Sequence, residues 1–328
     1  MNNTMKHLLI LNPKSFWHTW KQEAVLARIH EFFKITGADN YVVHISRFPR
    51  DATGFIRRFM RELPPGTPLR VYAIGGDGIL FDCLNGIAGL PNVELAALPY
   101  GHVNSFIWGF GRQNWPLFRD IARQFTAPTV PMDIMYCGDT YAFNSCTVGI
   151  EAQAVLNIER LRNSMREGEQ FTRWLGRRLY TAIFYAGAIA ACFNKEVYRH
   201  YEIDIDGEDL SGSYRSILIA NGPYYGGNKS PASAAMPNDG MMDIILTRSR
   251  NPLRAAVLIP FYLKGRQQQF PGDFMLKRGR KIRISSAELF LSACDGVIFY
   301  RKIFSVELMS GALRFVDAAR QGYRRIDG

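Results

Sequence analysis

The residues whose types and spacing most directly suggest chemistry are Gly75, Gly76, Asp77 and Gly78, consecutive in the chain. Glycines admit positive φ and leave no side chain between backbone and ligand, so successive N–H groups can converge on an anion. The tetrapeptide joins an apolar run, Leu69–Ile74, to a second run from Ile79 with helical spacing; this reads as strand, tight turn, helix. A helix opening there adds the positive end of its dipole at the same spot. An aspartate inside such a loop repels the anion that the loop attracts, so its useful roles are holding a cation or taking a proton. The bland alternative is a turn with glycines for geometry and Asp77 as a helix N-cap.

The elements that must position this turn follow from the chain order. Lys6–Leu11 reads as a buried strand turned by Asn12-Pro13-Lys14-Ser15, and residues from Trp20 to Ile35 as a helix stopped at Gly37. A strand over Asn40–Ser46 and a basic helix over Asp51–Glu62 come next, the helix breaking at Pro64-Pro65-Gly66. After the glycine turn a helix runs to about Gly89, and Val93–Leu98 is a further strand ending in Pro99-Tyr100-Gly101. Alternating strand and helix predicts a parallel sheet, in which ligands collect beyond the carboxyl ends of the strands. The turns at Asn12, Gly75 and Pro99 all lie at such ends.

After Pro131 the texture changes to strand-like pieces at Asp133–Cys137, Tyr141–Val148, Val197–Ile205, Ser213–Asn221, Met242–Thr247, Lys281–Ser286 and Ser305–Leu308, interrupted by a helical stretch from Leu156 to Phe193. Two domains are expected: an α/β domain over 1–131 and a β-rich, mostly antiparallel domain over 132–328, whose polar tail from Asp317 is expected to fray. With 328 residues, 47% of them hydrophobic, the chain can fill two cores. A formal charge of +11 favours anionic partners. Five widely spaced cysteines without a CxxC pair read as reduced core thiols in cytosol, and six histidines without HxxxH or HxH spacing give zinc no support. No secretory leader is expected, and the apolar run Leu179–Phe193 is shorter than the ~20 residues that cross a bilayer core.

With the turns in order, the chain resembles the diacylglycerol kinase catalytic family, including bacterial soluble lipid kinases and, more distantly, sphingosine and ceramide kinases. The resemblance is carried by Asn12-Pro13 with Ser15, by Gly75 to Gly78, by Leu98-Pro99 with Gly101 and Asn104, and by Gly149 to Ala152. It continues from Asn221-Gly222 through Tyr225-Gly226-Gly227 to Asp239-Gly240 and Asp243, and ends at Asp295-Gly296. It implies an α/β domain of the kind shared with NAD kinases, a β-sandwich-like second domain, and a nucleotide cleft between them. The implied activity is transfer of the γ-phosphoryl of ATP to a lipid hydroxyl with Mg²⁺, chemistry that rests on positioning and charge neutralisation. Carried across, the resemblance puts Asn12, Ser15, Gly75, Gly76, Gly78, Gly101 and Asn104 on the nucleotide and Asp77 in the magnesium network. Asp295 would be the base that takes the proton of the lipid hydroxyl, and Asp239 and Asp243 would hold a second magnesium. For that loop the alternative is a plain β-turn.

Four departures from the family pattern fall at the chemistry. Ile79 stands where the family has a threonine, His102 likewise, Ser105 where it has an aspartate, and Val297 where it has a glutamate. Mg²⁺ needs oxygen ligands, which Ile and Val do not supply. One expectation is a divergent kinase in which Asp77 and Asp295 suffice and His102 meets a phosphate or shuttles a proton; alternatively His102 is a loop residue near Tyr100 and Trp108. The other is a pseudokinase-like protein that binds a nucleotide or lipid without efficient transfer, and a non-lipid alcohol is a third acceptor class. Basic residues at Arg160, Arg162, Arg166, Arg173, Arg177 and Arg178, interleaved with Phe171 and Trp174, suit peripheral contact with an anionic membrane surface. A second basic group lies at Lys264, Arg266, Lys277, Arg278, Arg280, Lys281 and Arg283; both groups also read as solvated faces. No nucleic-acid module accompanies the charge. The localisation expected is cytoplasmic and peripherally membrane-bound, and a homodimer is compatible with the sequence, which does not fix the oligomeric state.

Overall fold

A computed structural model describes residues 5–16, 19–101, 103–164, 182 and 185–324. These divide into two compact units: one runs to Ile134 and is joined by Met309–Arg324, the other covers Met135–Leu308.

The first unit is built on parallel strands β1 (Lys6–Leu11), β2 (Tyr41–Ile45), β3 (Leu69–Gly75) and β4 (Val93–Pro99), in the order β2-β1-β3-β4. Both β3 and β4 are buried at every position, as parallel strands covered on both faces must be, hence their unbroken apolar runs. Helix α1 (Thr19–Thr36) lays Val25, Ile29 and Phe33 against Leu9, Tyr72 and Ile74. Helices α2 (Asp51–Glu62) and α3 (Asp77–Ile87) pack so closely that a Cβ on Gly86 would lie 2.8 Å from the Ile56 side chain. Three short helices follow β4: α4 (Ser105–Trp108), α5 (Trp115–Phe118) and α6 (Ile121–Thr126). Residues 317–324 of the polar tail do not fray, the last four residues lying outside the described ones: the Asp317 carboxylate accepts the N–H groups of Ala319, Arg320, Gln321 and Gly322 at 2.7–3.0 Å. Tyr323 then buries its ring against Phe106 and Phe110, over Gly109. An aspartate that closes a turn on four donors, plus an aromatic anchor, outweighs the polar composition that suggested disorder.

Strand β5 (Thr129–Tyr136) leads into the second unit, which pairs its strands antiparallel. They are β6 (Tyr141–Ala142), β7 (Ser145–Gly149), β8 (Arg199–Ile205), β9 (Glu208–Asp209), β10 (Gly212–Tyr214), β11 (Ser216–Ala220), β12 (Met242–Thr247), β13 (Phe274–Gly279), β14 (Lys281–Cys294) and β15 (Val297–Val316). The main path is β13-β12-β11-β7-β14-β15, with β8 also on β14, and the end of β15 pairs in parallel with β4 through Arg314 and Glu94. Helix α7 (Ile150–Ser164), a helical segment at 185–192 and α8 (Pro252–Tyr262) cover one face through Ala154, Ala188, Ala255 and Leu258, set against Leu218 and Ile245. Among the described residues no helix is long and apolar enough to cross a membrane. Strand β13 was not expected: its two basic residues are consecutive, so they point to opposite faces, Lys277 onto Glu208 at 2.6 Å and Arg278 onto Asp239 at 2.6 Å. Of the basic and aromatic residues expected at a membrane surface, those from Arg166 to Arg178 lie outside the described residues.

Candidate active site

In the first unit the sheet brings the ends of β1, β3 and β4 together. Asn12 turns the chain after β1 by accepting the Lys14 N–H at 3.0 Å, which places Ser15 beside Gly75. Gly75 has φ +157°, close to extended backbone, and its requirement is spatial: a Cβ there would lie 2.7 Å from the Ser15 hydroxyl oxygen and from the Ile79 side chain. Its carbonyl accepts the N–H groups of Tyr100 and Gly101 at 3.0 and 2.9 Å, so the two loops lie backbone to backbone. A Cβ on Gly101 would sit 2.3 Å from the Gly76 Cα. Asn104 is buried in a left-handed conformation, φ +49°, and donates to the Gly101 carbonyl at 2.6 Å. Its amide group therefore braces the loop. Gly78 differs from its neighbours: it is exposed, and a Cβ there would meet nothing.

Asp77 is not the N-cap. Gly76 takes that position, and Asp77 is the first residue of α3. Its Oδ2 reaches the start of α4, accepting the Ser105 N–H at 2.9 Å, with the Ser105 hydroxyl and the Phe106 N–H as further donors. Burial holds this carboxyl above the usual carboxylate range, against the pull of those donors. Its Oδ1 is buried without a hydrogen-bond partner. An orphaned carboxylate oxygen next to the first-turn N–H groups of α3, which have no carbonyl in their own helix, is what a cation with an anion beside it requires. The magnesium implied by the family fits one protein donor here, Asp77 Oδ1, with phosphates and water as the remaining ligands. Ser105 in place of a carboxylate serves as donor to Asp77, and Ile79 is 2% exposed, packed inward. His102 lies outside the described residues.

In the second unit Asp295 and Gly296 form the two-residue turn between β14 and β15, with φ of +46° and +84° and Cys294 paired to Val297. An Asp-Gly turn with both residues at positive φ is the mirror type that hairpins favour, so geometry alone accounts for the glycine. The carboxylate says more. Its Oδ2 accepts the Phe143 N–H at 2.8 Å, and its Oδ1 accepts those of Asn144 and Ser145 at 3.0 and 2.9 Å. Burial nevertheless pushes the group up to about 7, where a carboxyl can exchange a proton near neutrality. Val297, beside it, supplies no oxygen.

Asp239 and Asp243 converge on a cation that the chain itself supplies. Arg278, opposite Asp243 in the β12–β13 register, places its guanidinium 2.6 Å from Asp239 and 3.2 Å from Asp243. Sequence reasoning missed a further feature of this unit: an apolar pocket, partly open to solvent. Ile150, Ala154, Leu258, Ile259 and Phe274 line it, and its polar lining includes Glu151 and Tyr262. The Tyr262 hydroxyl donates to Glu151 Oε1, while Oε2 is buried without a partner, and burial pushes Glu151 up to about 7. The signal in the sequence was weak, a lone Glu after Gly149-Ile150 at the start of an otherwise ordinary helix.

Comparison with known proteins bears on the fold and the family. Residues 6–137 match the diacylglycerol kinase catalytic domain, and residues 169–316 match the YegS C-terminal NAD kinase beta sandwich-like domain. A protein of Staphylococcus carnosus named "Putative lipid kinase" is 29% identical over 182 residues, 55% of this chain and 54% of its own length. Another so named, from Staphylococcus haemolyticus, is 26% identical over 176 residues, 53% of this chain and 52% of its own. The chain thus spans about half the length of the curated relatives it matches. A crystal structure titled as a putative diacylglycerol kinase from Bacillus anthracis superposes with a TM-score of 0.68 at 20% identity, over 95% of this chain and 94% of that one. That likeness bears on the fold alone, an α/β domain of the NAD kinase kind followed by a β-sandwich-like domain. The two domain matches identify residues 6–137 as a diacylglycerol kinase catalytic domain and residues 169–316 as a YegS-type C-terminal domain.

Proposed function

We propose that this protein is an ATP- and magnesium-dependent kinase that phosphorylates a hydroxyl of a lipid of the diacylglycerol or sphingoid type. The observation that carries the reading is Asp77: a carboxylate fixed by Ser105 with a spare, buried oxygen at the opening of α3. Magnesium bound there would neutralise phosphate charge during transfer. Gly75, Gly76 and Gly101 let the two loops close on each other, exposed Gly78 leaves the approach to the N–H groups of α3 clear for a phosphate, and Ser15 and Asn12 lie beside Gly75. Asp295, held by three backbone donors and poised to titrate near 7, is the group assigned to take the acceptor proton. The apolar lining of the second unit's pocket, Ile150, Ala154, Leu258, Ile259 and Phe274, supports an acceptor with a hydrocarbon part. The alternative, a nucleotide- or lipid-binding protein without efficient transfer, is favoured by the loss of two acidic residues at Ser105 and Val297.

Calorimetry with ATP, with and without Mg²⁺, followed by labelled-phosphate transfer to a panel of diacylglycerol, sphingoid bases, ceramide and soluble alcohols, separates these. Magnesium-dependent binding with transfer to a lipid is expected. Binding with no transfer to any lipid defeats the lipid kinase reading, and absence of nucleotide binding leaves only a lipid-binding protein without transfer.

A further inference from the structure

Apart from these groups, three of the five cysteines come together in the second unit. Cys146 on β7 and Cys294 on β14 stand directly opposite in register. Cys137, just after β5, brings its Sγ to 3.3 Å from that of Cys146. All three residues are fully buried, and the three sulfurs lie within 4.8 Å of one another. Among the described residues this is the one group of three or more potential ligands so closely set.

Sulfurs bound to a zinc-like ion sit about 2.3 Å from it, which for a trigonal or tetrahedral array puts neighbouring sulfurs roughly 3.8–4.0 Å apart. The 3.3 Å Cys137–Cys146 separation and the 4.8 Å bound on the cluster bracket that spacing, so closing on an ion needs sulfur–sulfur distances to change by about half to one ångström. Two ligands are fixed by adjacent strands. The third sits on the turn at Gly138 and Asp139, both exposed, which gives an ion a way in. Thiolates in an apolar core also need compensating charge. Hydrogen bonds from Cys137 and Cys146 favour the Cys294 thiolate most, and Arg301 adds a smaller share: its Nη1 donates to the Cys137 carbonyl at 2.9 Å, its Nε is buried without a hydrogen-bond partner, and its Nη2 is paired with the exposed Asp139 at 2.7 Å, which offsets part of its charge.

We propose that Cys137, Cys146 and Cys294 form a three-thiolate site for a thiophilic closed-shell cation, Zn²⁺ or Cu⁺. Soft sulfur ligands select such ions over Mg²⁺. Loading exchanges thiol protons for metal–sulfur bonds, the protons leaving to solvent, and no electrons are transferred. Cys146 follows Ser145 and Cys294 precedes Asp295, so the ion pins the two strand ends that hold the Asp295 carboxylate.

The test uses the full chain, reduced, stripped with a chelator and titrated anaerobically with Co²⁺ or Cd²⁺ while the thiolate-to-metal charge-transfer band is followed. One equivalent per chain is expected to saturate the band and Zn²⁺ to displace Co²⁺. Cys137→Ser and Cys294→Ser each weaken binding roughly tenfold or more, and Cys83→Ser does not. Absence of the band, or its survival in a folded Cys294→Ser variant, overturns the site. If the serine variants fail to fold, X-ray absorption of the wild-type zinc complex decides: three sulfurs at about 2.3 Å support the proposal, and a shell of nitrogen and oxygen refutes it.

Discussion

Each unit presents an aspartate beside a glycine at the end of a strand, and the two turns use the pair in opposite ways. In the first unit Gly76 and Gly101 are required by close backbone approach and Gly75 by the Ser15 and Ile79 side chains, and Asp77 keeps one oxygen without a partner. In the second, Gly296 serves a hairpin turn and lines nothing, while Asp295 has both oxygens occupied by backbone N–H groups. A carboxylate with a spare buried oxygen is unfinished and calls for a cation. A carboxylate saturated by fixed donors is preorganised, and what remains adjustable is its proton. The same residue type thus serves as ligand in one unit and as titrating group in the other because its surroundings differ.

The largest expected effect follows from that contrast. Asp295→Asn should lower turnover by about 10²–10⁴-fold and leave nucleotide affinity nearly unchanged; comparable loss of both in steady-state kinetics and calorimetry would remove the assignment. The same group predicts a pH profile. A base must be deprotonated, so kcat/KM should level off above about 7 and fall as pH drops through that value, roughly tenfold per unit. A flat profile between pH 5.5 and 8 would break the comparison.

Next in size is Asp77. Asp77→Asn keeps one oxygen to accept from Ser105 but puts an NH₂ group, which is no metal ligand, where Oδ1 stood, so magnesium should no longer tighten ATP binding, a loss of about one to two orders of magnitude. Calorimetry with and without the metal reads this directly. ATP binding that stays magnesium-dependent in the variant would move the cation elsewhere. Restoring charge with Ser105→Asp should strengthen the dependence, although Asp cannot donate to Asp77 as the serine hydroxyl does.

Much of this arrangement was legible in the chain because it is local. β1, α2 and β12 have the bounds that apolar runs and Pro or Gly punctuation indicate, and the glycine turn does follow a strand and open a helix. What escaped depends on pairings between distant residues. Arg278 reads as one cation in a basic group until β13 sets it opposite Asp243 and within reach of Asp239. The tail reads as polar until Asp317 folds it and Tyr323 finds Gly109. Widely spaced cysteines read as separate core thiols until the β7–β14 register places two of them side by side. Sequence pattern reports which face of an element is apolar and says little about which partner that face meets.

Glycine substitutions give the finest test, since they separate space needed by the fold from space left for a ligand. Gly101→Ala places a Cβ 2.3 Å from the Gly76 Cα, a backbone contact that cannot yield cheaply. It should cost stability, by roughly 1–3 kcal/mol as overpacking usually does, and disturb both loops together. Gly78→Ala meets nothing within 4 Å and lies in the first turn of a helix, where alanine is the better residue by several tenths of a kcal/mol. Thermal denaturation should therefore show Gly78→Ala as stable as the parent or slightly more so. ATP affinity should fall all the same, by about three- to tenfold, because the methyl group occupies the approach to the N–H groups of α3. Unchanged affinity would mean that the ligand does not pass over Gly78 and that its exposure is only that of a surface turn.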